Sequence, residues 1–113
     1  MTDCSVRAVS LALGLDWETA YLLIALNGIQ MGDMMEVNGV WGSVLRQHGF
    51  YRKTLPDTCP DCYTVRDFCA DNPSGIFVLG LHEHTVCAID GDWMDIWDSG
   101  DEPVEYFWYR KDE

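Results

Sequence analysis

The hydrophobic pattern changes period partway along the chain, and no other feature constrains the fold as strongly. Through residue 49 the apolar residues recur at helical spacing, and from residue 75 onward they form β-branched and aromatic runs. Residues 5–14, SVRAVSLALG, predict a helix with Val6, Val9, Leu11 and Leu13 as its apolar positions and Gly14 as its stop. Asp3 is a capping candidate there, which puts Cys4 in the first turn. DWETAYLLIALN, residues 16–27, predicts a second helix capped by Asp16, with Thr19 at its third position, and ended by Gly28. IQMGDMMEV has no clear period and reads as a loop. Asn38 then caps a third helix, GVWGSVLRQHG, with Val40, Trp41, Val44 and Leu45 facing inward and Gly49 closing it.

Residues 50–54 predict a short strand, and LPDTCPDCY is a turn-rich segment. Thr64 opens a short helix, VRDFCAD, that Asn72 and Pro73 stop. Four strands follow in GIFVLGL, HTVCAI, DWMDIWD and PVEYFWYR, with Asp90-Gly91 as a hairpin signal. Helices first and an antiparallel meander afterwards define an α+β class, with N-terminal helices packed on a C-terminal antiparallel sheet.

A chain of 113 residues is one domain, 1–113, and with 48% apolar residues it can bury an ordinary core without a metal. No apolar run reaches the length of a spanning helix, and the N-terminus lacks the signal-peptide pattern. A cytoplasmic protein with five reduced cysteines and no membrane association is therefore expected. The net charge is -12 and lopsided, since residues 57–113 hold fourteen acids against Arg66, Arg110 and Lys111. That surface repels nucleic acid; it attracts a basic protein partner or serves solubility alone.

Three residues suggest chemistry. The N–H groups of a first helical turn stabilise a thiolate, which makes Cys4 a candidate nucleophile. His84 begins the strand HTVCAI. A three-residue loop, Asp90-Gly91-Asp92, sets Ile89 opposite Trp93 and His84 opposite Asp98, within hydrogen-bonding reach. The carboxylate then holds the imidazole tautomer. A two-residue loop shifts the register by one and sets His84 opposite Trp97 or Ser99, so that the pair is lost or becomes diagonal. Asp95 is the fallback orienting residue, on the opposite face in the favoured register.

Local sequence adds to this order of Cys, His and Asp. The segments DCSVRAVSLALGLDWETAY, TVRDFCADNPSGIFVLGLHEH and HTVCAIDGDWMDIWDSGDEPVEYFWYRK resemble small phage and prophage proteins of a papain-like, C39-peptidase-like type. Those begin with Asp-Cys-x-x-Arg-Ala and end in a hairpin where a His precedes an Asp-Gly turn and an Asp-x-Trp-Asp strand. The resemblance implies a papain-like cysteine peptidase-like fold acting on a peptide or protein, with Cys4 as nucleophile, His84 as general base and Asp98 as orienting group. No cofactor is implied. The chain departs from papain-like enzymes at the oxyanion hole. Those usually carry Gln or Asn several residues before the Cys, whereas Met1, Thr2 and Asp3 stand here. The Cys4 N–H can supply one donor, and Asn27, Gln30, Asn38 and Gln47 are candidates for a second. The departure raises an alternative, a catalytically inactive acidic binding protein or inhibitor of a basic host protein.

Cys59-Pro-Asp-Cys62, with Cys69 seven residues later, has the spacing of half a zinc site and suggests a zinc-stapled interaction module. No second close pair completes it, so the favoured expectation is a turn with two packed thiols and no metal. DGDWMDIWDSGDE does not fit a calcium loop, because its acids miss the ligand spacing.

Overall fold

The computed structural model describes residues 4–32, 38–95 and 98–110. The elements are α1 (Cys4–Leu13), α2 (Trp17–Met31), α3 (Asn38–Gln47), β1 (Phe50–Thr54), α4 (Val65–Asp71), β2 (Ile76–Leu81), β3 (His84–Ile89), β4 (Asp92–Met94) and β5 (Tyr106–Arg110). The α+β class and the order of helices before most of the sheet follow the sequence reading. Expected caps appear where the described residues reach them. Asp16 Oδ1 accepts from Thr19 N at 2.8 Å and opens α2. Thr64 and Asp67 cap α4 reciprocally, side chain to backbone in both directions. The caps assigned to Asp3 and to the Asn38 side chain lie outside the described residues.

One helix boundary and the strand order differ from expectation. Helix α2 runs through the buried Gly28 to Met31, and the left-handed Gly32 (φ 70°) ends it by donating to Gly28 O and Ile29 O. A glycine inside a helix costs only about 1 kcal/mol relative to alanine, so Gly28 by itself does not end the helix. The sheet is not a simple meander, because its order is β1-β5-β2-β3-β4 with every neighbouring pair antiparallel. Strands β2, β3 and β4 do meander, but β5 returns between β1 and β2. Its alternation explains this: Tyr106 and Trp108 are buried in one face and Phe107 packs into the other, as suits an interior strand.

The sheet is covered on both sides. Helices α1 to α3 cover one face, where Val6, Val9, Ile24, Trp41 and Leu45 meet Val78, Cys87 and Trp108. On the other face Val65 and Phe68 of α4 meet Leu79, Val86 and Phe107. Gly80 is required on the first face, since the Tyr106 ring occupies the space a Cβ would take. Among the described residues no single helix is long and apolar enough to cross a membrane.

The β3–β4 hairpin corrects the expected register. Ile89 pairs with Asp92 and Ala88 with Trp93, so the loop has two residues, Asp90 and Gly91. Both have positive φ, 50° and 83°. That is the turn whose twist matches flanking strands, and Asp-Gly suits it. Asp90 is held further by Gly75, which donates its N–H to Asp90 Oδ1 at 2.9 Å.

Candidate functional site

The one-residue shift changes which carboxylate meets the histidine. His84 follows the tight turn at His82 and Glu83 and pairs with Leu81 at the start of β3. Its Nε2 lies 2.6 Å from Asp95 Oδ2. Asp95 directly follows β4, at the position that alternates with Trp93 onto the His84 side of the sheet. Asp98, opposite His84 in the expected register, instead accepts from Gly100 N at 2.9 Å and from Trp93 Nε1 at 3.2 Å. Those two bonds, the backbone one first, hold its carboxyl below the usual range against a small opposing effect of burial. Asp98 thereby shapes the turn that carries Ser99.

Asp95 is the centre of the cluster. Its side chain is 2% exposed, and that of His84 is 15%. A carboxylate so buried is strongly destabilising without partners. Here Ser99 Oγ donates to Oδ2 at 2.9 Å, alongside His84, and Arg7 Nη2 stands 3.8 Å from Oδ1. Arg7 comes from α1, one helical turn beyond Cys4. Residues three apart share a side of a helix, separated by about 4.5 Å along its axis. Cys4 stands three residues before Arg7 in the same helix. It is buried as the first residue of α1. A negative charge at Cys4 would also reach the Tyr106 hydroxyl, whose pKa is raised chiefly by burial.

The candidate oxyanion donors divide. Asn27 Nδ2 donates to Val40 O at 2.8 Å, tying α2 to α3, and Gln47 Nε2 donates to Asn27 Oδ1 and Ser43 Oγ. Those two amides are engaged in holding helices together. Gln30 is exposed on α2, and the Asn38 side chain lies outside the described residues.

Two of the other cysteines differ from the sequence reading. Cys59 and Cys62 are joined in a disulfide, so not all five are thiols. The turn closed by Asp61 N to Thr58 O at 3.0 Å brings them together, and with the two sulfurs bonded to each other neither is offered to a metal. Cys69 and Cys87 are buried thiols. Burial raises both, Cys87 to about 12, with Asp92 adding to the effect at Cys69. Among the described residues no three His, Cys, Asp or Glu side chains are placed to hold a metal ion.

Sequence reasoning passed over two members of the cluster. Arg7 was visible in the Asp-Cys-x-x-Arg-Ala segment but carried no role there. Ser99 had only its spacing of four residues from Asp95 as a signal. Comparison with protein families, curated proteins and solved structures finds no match to this chain.

Proposed function

We propose that the protein is a cysteine peptidase or amidase with a papain-like fold, using Cys4 as nucleophile, His84 as general base and Asp95 in the orienting role. The observation that carries this reading is the 2.6 Å contact of His84 Nε2 with the buried Asp95 carboxylate, which Arg7 ties to the helix that Cys4 begins. Because Nε2 is engaged by Asp95, proton exchange with the thiol runs through Nδ1. The imidazole takes the thiol proton, and the thiolate sulfur bonds to the carbonyl carbon of an amide. The C–N bond then breaks as the imidazolium returns its proton to the departing amine. Water, deprotonated by the same imidazole, cleaves the thioester to a carboxylic acid and restores the thiol. The first-turn backbone N–H groups of α1 are the donors this reading assigns to the developing oxyanion.

The test is the rate of alkylation of each cysteine at neutral pH, read by mass spectrometry on the wild type and on His84→Ala. The expected result is selective labelling of Cys4 that the variant loses. Equal, slow labelling in both proteins would defeat the assignment.

A second reading, a non-catalytic binding protein for a basic partner, is supported by α2. Leu22, Leu26 and Ile29 recur at helical spacing along one side and are exposed, Ile29 to 76%. No Lys or Arg occurs from Ala8 to Leu45, whereas Asp16, Glu18, Asp33 and Glu36 do. A cationic amphipathic peptide bound by the wild type and released by Ile29→Glu, together with an inert Cys4, would select this reading.

A further inference from the structure

The sheet face under α3 contains a feature that the reading above does not use. A cavity of about 300 Å³ opens between α3 and the β1 and β5 strands. Two arginines line it, Arg46 from α3 and Arg52 from β1. The Arg46 guanidinium carbon stands 5.3 Å from the Trp108 ring centroid, and that of Arg52 4.2 Å from the Tyr106 ring centroid. Stacking on an aromatic face leaves the N–H edge of a guanidinium directed sideways for hydrogen bonding. Arg52 Nη1 donates to Thr54 Oγ1 at 3.3 Å. Among the described residues neither Arg46 nor Arg52 forms an ion pair with a carboxylate. In a chain of net charge -12, two cations facing one cavity without an acid are an exception to the prevailing surface.

Trp108 supplies the second, independent observation. It lines the same cavity and is 3% exposed, yet its Nε1 has no hydrogen-bond partner among the described residues. A buried N–H without an acceptor costs free energy, and native structures rarely leave one so. Gly42 of α3 makes the arrangement possible, since a Cβ there would lie 2.7 Å from Trp108 Cζ2. Gly39, in the first turn of the ten-residue α3, also lines the cavity, so the positive end of that helix adds to the same field. The donors at this site are two guanidinium groups, an indole N–H and a helix N-terminus.

We propose that this cavity binds an oxyanion, a carboxylate or phosphate group of a ligand, held between Arg46 and Arg52 with the Trp108 indole N–H as its buried donor. The guanidinium fork matches the two oxygens of either group. The inference stands whether or not Cys4 is a nucleophile, because no residue of the His84–Asp95 cluster takes part.

The experiment is two-dimensional NMR of ¹⁵N-labelled protein, following the Trp108 indole N–H, which Trp108→Phe assigns. The probes are inorganic phosphate, N-acetylglycine and N-acetylglycinamide, each at ionic strength matched with sodium chloride. The proposal expects a saturable shift of that one indole signal with phosphate or N-acetylglycine and none with the amide. Saturation by N-acetylglycine identifies carboxylate ligands, and saturation by phosphate alone identifies phosphorylated ones. Arg46→Gln and Arg52→Gln remove exposed side chains, so both variants should stay folded. Each should weaken the anion by about tenfold, the loss typical of one charge-assisted hydrogen bond. An equal shift with chloride, an equal affinity for the amide, or unchanged affinity in both arginine variants overturns the proposal.

Discussion

Replacing Asp95 with Ala is the sharpest test of the cluster that joins α1 to the sheet. The carboxylate is 2% exposed and accepts from His84 and Ser99 on one oxygen, with Arg7 3.8 Å from the other. Removing one partner from a buried charged group costs about 3–5 kcal/mol when the remaining charges have no escape. Here they have one: the Arg7 side chain, 24% exposed, can turn toward water. The cost is then mainly two hydrogen bonds to a charged acceptor, about 3 kcal/mol in all after discounting for that relaxation. At about 2.1 cal/mol/K of unfolding entropy per residue, that corresponds to a fall in Tm of roughly 12 °C for this chain. Urea and thermal unfolding followed by circular dichroism measure both numbers. Asp98→Ala provides the comparison, because Asp98 is exposed and its carboxylate accepts from Gly100 N and Trp93 Nε1. A loss below about 1 kcal/mol for Asp95→Ala, or a larger fall in Tm for Asp98→Ala than for Asp95→Ala, refutes the reasoning that Asp95 is the organising carboxylate.

Three further outcomes follow from local geometry. The Asp98 carboxyl is held below its usual 3.8, so its contribution is present above that pH and is lost as the pH falls below it. The stability difference between wild type and Asp98→Asn should therefore vanish on acidification through that window; a difference that persists unchanged in acid counts against the assignment. Gly80→Ala should destabilise by about 1–3 kcal/mol through overpacking against the Tyr106 ring, and denaturant titration reads it. Thr64→Ala removes one arm of the capping box and should cost about 1 kcal/mol, seen in the same titration.

Features that depend on neighbours along the chain are legible in the residues alone. Helical spacing marked α1, α2 and α3; Asp16 and Thr64 marked helix starts; β-branched and aromatic runs marked β2, β3 and β5. These signals are local because capping and periodicity act within one or two turns of the backbone. His84 and Cys4 were also legible as candidates, one opening a strand and the other a helix. The tertiary structure decided how the segments meet. Strand β5 enters between β1 and β2, because both of its faces are apolar and only an interior position covers them. Cys59 and Cys62 are joined because one turn folds back on itself. Above all, the Asp90-Gly91 loop has two residues rather than three. The side-chain period of a strand is two, so that single step moves Asp95 onto the side of His84 and leaves Asp98 to shape the Ser99 turn. Ser99 then joins Asp95 from that turn, four residues on, and Arg7 reaches it from α1 at the other end of the chain, a meeting no local pattern encodes.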